Sequence, residues 1–232
     1  MNSDDIIENI RETLASNNNV RLKLPDGGRV HVDRQLPFLC LYRYPLSGQD
    51  TGTERLLLGE AAYILASAKA EHHSQLASIV HEILAIQKSV FGACLLLELW
   101  AGDEVMEQQD QPAFHIIAPN TAVPSNLLED MESALLGITV NEIPAQTTLS
   151  YQESISAPGC GEIISKKALG QLNCLHLGLQ VKPIYREAET QSLLPFRLRQ
   201  LHHALAHALK LSLIHISEPT RPRRQSRMPS SA

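Results

Sequence analysis

The sequence is poor in aromatic residues and lacks the features that mark secreted or membrane-bound chains. Phe, Trp and Tyr make up 4% of its 232 residues, so the core must consist mainly of Leu, Ile, Val and Ala. No stretch approaches the roughly 18 apolar residues of a membrane span, and the first residues, MNSDDIIENIRETLAS, lack the basic and apolar regions of a signal peptide. We therefore predict a cytoplasmic protein without a membrane partner.

Cysteine is also scarce. The four cysteines are Cys40, Cys94, Cys160 and Cys174, and no two of them form a C-x-x-C pair. Cys40 and Cys94 lie inside apolar, strand-like runs. This arrangement predicts buried free thiols in a reducing compartment and no disulfide framework.

The chain also has no excess of basic residues. The formal net charge is −5, and four of the arginines are concentrated in the last residues of the chain, 221–227. Nucleic-acid-binding proteins neutralise phosphates with clustered Lys and Arg. The acidic body of this chain therefore predicts no nucleic-acid partner.

Hydrophobic periodicity indicates alternating strands and helices. Residues 20–24 and 30–33 alternate apolar and polar side chains around Pro25-Asp26-Gly27-Gly28, which predicts a β hairpin because glycine supplies the positive φ of tight turns. The interleaving of elements predicts an α/β or α+β fold, with a mixed sheet, this one N-terminal hairpin and helices on at least one face. The predicted segments are an N-terminal helix in 1–18, an α/β domain in 19–210 and a disordered tail in 211–232. Further strands are expected at 37–44, 91–100, 113–118, 138–143, 147–151 and 175–185, and helices at 74–87, 125–136, 165–169 and from about 195.

Two histidine patterns on predicted helices invite a metal interpretation. His81-Glu82 begins like the zinc-peptidase motif H-E-x-x-H, but Ala85 stands where the second histidine should be, so the pattern favours a solvated helix face. His203 and His207 are one helical turn apart and share a face with Arg199 and Lys210. Cationic neighbours without a carboxylate disfavour a divalent cation, so we expect a polar interface or a solvated face there.

Three shorter patterns are equally weak as sites. His72-His73 beside Glu71 favours a loop feature over a ligand pair. Gly159-Cys160-Gly161 could expose a reactive thiol, but no base lies nearby in the sequence. Asp26-Gly27-Gly28 lies between two strands without a following Lys-Ser/Thr, which indicates a turn and not a phosphate loop. We therefore expect no catalytic or metal-ligating residue, and binding residues stay unknown.

Several strand-rich stretches together resemble a known bacterial family. They are GGRVHVDRQLPFLCLYRYP (27–45), GTERLLLGEAAYILAS (52–67), FGACLLLELWAG (91–102), PAFHIIAP (112–119) and LHLGLQVKPIYR (175–186). Over residues 10–210 the chain resembles the N-terminal part of the flavohaemoglobin expression-modulating QEGLP-motif proteins. That family is similar to the eukaryotic microtubule-associated tyrosine carboxypeptidases.

The resemblance implies a zinc metallopeptidase-like protein acting on a peptide or protein C-terminus. The family's motif H-E-x-x-x-H supplies two histidine ligands and a glutamate base for the metal-bound water. Neither this motif nor QEGLP occurs in the sequence, so no catalytic residue is assigned. We expect an N-terminal, non-catalytic fragment, without a cofactor of its own, whose partner is the missing C-terminal catalytic region.

The last residues support the expectation of a fragment. LSLIHISEPTR (211–221) resembles a translated transposon-end adapter used in sequencing libraries, so we expect the native helix to stop near Lys210. Two alternatives stay open. The chain could be a regulatory or partner-binding module without catalysis, or a scaffold whose Arg199, His203 and His207 face packs on a missing part.

Overall fold

A computed structural model gives the architecture of most of the chain. It describes residues 3–44, 53–56, 61–67, 69, 72–101, 114–119, 125–136, 139–140, 143–144, 147–153, 155, 160–181 and 194–217. Within these ranges the structure contains five α-helices, a 3-10 helix at Thr53–Leu56 and ten strands. The helices are α1 Ser3–Ser16, α2 His73–Phe91, α3 Ser125–Leu136, α4 Lys166–Gln171 and α5 Pro195–Ser217. The strands are β1 Asn19–Lys23, β2 Arg29–Asp33, β3 Phe38–Tyr44, β4 Ala62–Ser67, β5 Cys94–Ala101, β6 Phe114–Pro119, β7 Thr139–Val140, β8 Ile143–Pro144, β9 Thr147–Gln152 and β10 Cys174–Val181.

Eight of the strands form one mixed sheet in the order β1-β2-β4-β3-β5-β10-β6-β9. The four central strands β4, β3, β5 and β10 are mutually parallel, while β2 and β6 flank them in the antiparallel direction. Strands β7 and β8 pair separately. The predicted α/β fold with a mixed sheet is therefore confirmed.

Helices cover both faces of the sheet, and each face has its own apolar core. On one face, Ile6 and Ile10 of α1 and Ile79 and Ile83 of α2 pack with Leu96 of β5. On the opposite face, the strand residues that alternate with these, such as Leu97 and Leu99 of β5, pack against α3 and α5. Parallel strands buried on both faces explain why β5 is an almost continuous apolar run.

The N-terminal hairpin follows its sequence pattern closely. Strands β1 and β2 pair in antiparallel register with Val20 opposite Val32, and Gly27 between them has φ of 86°. The Asp26 carboxylate accepts hydrogen bonds from Gly28 N at 3.0 Å and from Ser67 N at 2.9 Å. The predicted turn is confirmed, and its aspartate also ties the hairpin to the end of β4.

Two boundaries differ from the sequence expectation. Phe91 ends α2 and does not begin a strand, because Gly92 in the left-handed conformation caps the helix by donating to Lys88 O. Helix α5 continues to Ser217 instead of ending near Lys210, since no Gly or Pro interrupts it before Pro219. Residues 211–217 thus belong to α5 in the structure, while 218–232 lie outside the described residues, so the prediction of a disordered tail stays a prediction.

Gly178 in β10 is required by close packing. A Cβ there would lie 2.7 Å from Cη2 of Trp100 and 2.8 Å from Cγ2 of Ile155. We predict that Gly178→Ala lowers the free energy of unfolding by about 1–3 kcal/mol, because overpacked core sites must shift their neighbours. Chemical denaturation measures the change.

The matched control for that substitution is Gly170→Ala. Gly170 lies in α4, and a Cβ there would meet no atom within 4 Å, so the added methyl group should leave stability unchanged or raise it slightly. Equal losses for both variants would contradict the packing at Gly178.

His31 should make stability depend on pH. Burial lowers the pKa of His31, and Arg21 lowers it further, while Asp33 opposes both. The unfolded chain therefore binds a proton at His31 more readily than the folded chain does. The contribution of neutral His31 to the free energy of unfolding is full above about pH 6.5 and is lost as the pH falls. We predict that His31→Gln flattens the decline in unfolding free energy between about pH 7 and 5, as urea denaturation at each pH would show. His81→Gln, at an exposed position of α2, should not flatten it.

Candidate functional site

Polar side chains meet on one face of the sheet, where the parallel strands β3, β5 and β10 lie side by side. Arg43 of β3, Glu98 of β5 and His176 of β10 are 5%, 2% and 8% exposed. Strand register places them together. Glu98 lies opposite Leu41 of β3 and Gly178 of β10, and Arg43 and His176 are each two residues away along those strands, so all three side chains share one face of the sheet. We call Arg43, Glu98 and His176 the buried polar cluster.

Both oxygens of the Glu98 carboxylate have partners. Arg43 Nη2 donates to Glu98 Oε2 at 3.1 Å, and His176 Nε2 lies 3.1 Å from Oε1. Because a carboxylate oxygen only accepts, His176 donates from Nε2. The negative charge is thus paired with Arg43 on one side and hydrogen-bonded to His176 on the other.

Arg43 also binds the backbone in front of the cluster. Its Nη1 donates to the Cys160 carbonyl at 2.7 Å and its Nη2 to the Gly161 carbonyl at 2.9 Å. His73 Nε2, at the start of α2, lies 3.4 Å from Nη1. Only Nε of this guanidinium has no hydrogen-bond partner among the described atoms. Arg43 therefore joins β3, β5, α2 and the segment before α4.

Tight packing surrounds the cluster. Trp100 and Ile155 form a small apolar group with Ile117, and Cys160 packs against it. Burial raises the pKa of the Cys160 thiol, and the Glu98 carboxylate adds to this, although the Arg43 guanidinium opposes it. The sequence left open a reactive thiol here, and this environment favours the neutral thiol.

The cluster does not fit a zinc ion. Zinc needs three or four ligands, but here Glu98 and His176 share their site with a fixed guanidinium. Within the part of the chain that the structure describes, no group of three or more His, Cys, Asp and Glu residues could hold a metal. The arrangement can hold the strands together, since Arg43 and His176 engage both oxygens of the Glu98 carboxylate.

The histidine patterns from the sequence stay apart from this cluster. Glu82 binds Arg11 through two hydrogen bonds of 2.7 and 2.8 Å, and His81 beside it is exposed. His203 and His207 are exposed on α5, while Leu201 and Leu205 face the core. His81, His203 and His207 are therefore exposed, whereas Glu82 is 16% exposed and paired with Arg11.

The other two predicted features lie at the start of α2 and beside the buried polar cluster. His72 is the residue before α2, and His73 begins that helix. Gly159 lies outside the described residues, whereas Cys160 adjoins the cluster through its carbonyl group. Sequence reasoning missed His202, whose Nδ1 lies 2.7 Å from the Leu56 carbonyl. None of the described helices is long and apolar enough to cross a membrane.

Comparisons with known proteins give a broad likeness of fold. No protein-family model matches the chain, and no curated protein matches it. Among solved structures, it is similar to a metallo-carboxypeptidase from Burkholderia cenocepacia, with a TM-score of 0.43 and 10% identity over 91% of this chain and 69% of that one. It is also similar to an N-formylglutamate amidohydrolase from Ralstonia eutropha, with a TM-score of 0.44 and 14% identity over 77% and 93% of the two chains.

A third similar structure has a different activity. It is a uridine phosphorylase isoform from Schistosoma mansoni, with a TM-score of 0.41 and 10% identity over 77% of this chain and 90% of that one. These scores and identities are low, and the three proteins catalyse different reactions, so the likeness selects no activity. The resemblance to the QEGLP-motif family and the adapter origin of the tail both stay predictions.

The buried charge pair should be essential for stability. We predict that Glu98→Gln lowers the free energy of unfolding by about 3–5 kcal/mol, because it leaves the Arg43 guanidinium buried without a counter-charge. Denaturant titration followed by circular dichroism measures the loss.

Glu82→Gln is the matched control for that substitution. It removes the carboxylate that binds Arg11, whose side chain is 55% exposed, so the loss should be much smaller. The double variant Arg43→Met, Glu98→Leu should recover part of the stability lost in Glu98→Gln, since apolar residues can replace a buried ion pair. Equal losses for Glu98→Gln and Glu82→Gln would contradict the assigned burial.

Proposed function

We propose that this chain is a non-catalytic N-terminal part of a zinc metallo-carboxypeptidase-like protein. The resemblance of residues 10–210 to the QEGLP-motif family supports the class. The stretches that carry the resemblance contain β2 to β6 and β10, which build the sheet around the buried polar cluster. The proposed role of this region is to form the frame on which a separate catalytic region is held.

The pairing inside the buried polar cluster is the observation that carries this proposal. Among the residues that the structure describes, Glu98 is the buried acidic side chain, and Arg43 and His176 occupy both of its oxygens. A general base must reach a substrate or a metal-bound water. The hydrogen bonds on both oxygens of Glu98 support a structural role for the cluster, and we propose that the chemistry belongs to another region.

We predict that the purified 232-residue chain retains no stoichiometric zinc and releases no tyrosine from a peptide that ends in tyrosine. The chain should be incubated with zinc chloride, desalted and analysed for metal by mass spectrometry, and the peptide products should be analysed in parallel. An active metallo-carboxypeptidase under the same conditions serves as the positive control. One zinc per chain, together with tyrosine release that a chelator abolishes, would overturn the proposal.

A partner-binding module without catalysis is the second candidate. It is favoured by two exposed aromatic side chains, Tyr151 on β9 at the edge of the sheet and Phe196 in the first turn of α5, which are 59% and 72% exposed. Aromatic residues are enriched at protein interfaces. Amplifying the source DNA across the Lys210 codon and reading the frame onward distinguishes the candidates: an intact H-E-x-x-x-H supports the first, and its absence from the natural reading frame supports the second.

A further inference from the structure

Two cysteines face each other across the centre of the sheet. Cys94 begins β5 and Cys174 begins β10, and the register of this parallel pair places them directly opposite each other. Neighbouring strands lie about 4.8 Å apart, which is within the Cα separation of roughly 4.4–6.8 Å that disulfides bridge. The register therefore meets the first geometric requirement for a disulfide between β5 and β10.

The two thiols already interact. A side-chain hydrogen bond with Cys174 lowers the pKa of Cys94 and outweighs the effect of burial, and the Lys88 ammonium lowers it further. The same hydrogen bond raises the pKa of Cys174, and burial adds to this increase. One thiol is thus stabilised as a thiolate by its neighbour, as in reactive dithiols. The opposite directions of the two pKa values assign the negative charge to Cys94 and the proton to Cys174.

Access differs between the two sulfurs. Cys94 is fully buried, whereas Cys174 is partly exposed. The other two cysteines lack such a partner among the described residues: Cys40 lies in the core on the opposite face of the sheet, and Cys160 lies beside Arg43. A reagent in solution should therefore meet Cys174 first, with Cys94 directly behind it.

We propose that Cys94 and Cys174 form a thiol-modification site that small-molecule disulfides oxidise to an intramolecular disulfide. Cys174 gives its proton to the Cys94 thiolate as Cys174 Sγ attacks one sulfur of the small disulfide, and a first small thiolate leaves. Cys94 then passes that proton to the released thiolate, the restored Cys94 thiolate attacks Cys174 Sγ, and a second small thiolate leaves. The protein loses two hydrogens, the small disulfide is reduced to two thiols, and the bond joins β5 to β10.

The folded chain treated with oxidised glutathione tests this proposal. After the remaining thiols are alkylated, the intact mass should show one disulfide, and peptide mapping should join Cys94 to Cys174. Trypsin alone leaves Cys94 and Cys160 on one peptide because no Lys or Arg lies between residues 88 and 166. A glutamate-specific protease must therefore be added, since cleavage after Glu98 and Glu153 separates the two cysteines.

Matched variants identify the order of the steps. Cys94→Ser should stop at a stable glutathione adduct on Cys174, and Cys174→Ser should acquire no adduct at Cys94. The double variant Cys40→Ser, Cys160→Ser keeps the pair and should still lose two hydrogens. Three outcomes for the native chain overturn the proposal: a persistent adduct on Cys174, a disulfide that includes Cys160 or a second chain, or no oxidation. The mapping of the native chain decides between these results even if a variant fails to fold.

Discussion

The ion pair between Arg43 and Glu98 is the constraint on which the central part of this protein depends. Both side chains are almost completely buried, and a buried charge is tolerated only when it is paired and hydrogen-bonded. Glu98 meets this requirement through Arg43 of β3 and His176 of β10. Arg43 also donates hydrogen bonds to the carbonyl groups of Cys160 and Gly161. The positions of two neighbouring strands and of the segment that leads to α4 are therefore linked by one pair of charges.

Packing at the same end of the sheet reinforces this link. Trp100 lies over Gly178, where no larger residue fits, and Ile155 closes the space beside it. The carbonyl groups of Cys160 and Gly161 complete the hydrogen bonds of Arg43 beside this packing. Such an arrangement of paired charges and close contacts is suited to support a fold.

Local signals in the sequence predicted the hairpin, α2 and α3, because turn glycines and helical spacing act over a few residues. The buried polar cluster was missed because Arg43, Glu98 and His176 are far apart in the sequence and meet only through strand register. One signal could have been used: Glu98 is a lone carboxylate within the apolar run FGACLLLELW, and such a residue needs a buried partner. The pairing of Cys94 with Cys174 was also missed, because it depends on strand register. The continuation of α5 was missed because residues 211–217 were interpreted as translated adapter sequence and their helical pattern was not considered.

Arg43 occupies the Glu98 carboxylate that a metal between Glu98 and His176 would need. A crystal structure of the chain grown with zinc, with anomalous data collected at the zinc absorption edge, tests it most directly. We expect no anomalous peak between Glu98 and His176, with the Arg43 guanidinium on Glu98 and on the carbonyls of Cys160 and Gly161. A peak bound by Glu98 and His176, with Arg43 displaced from the carboxylate, would contradict it.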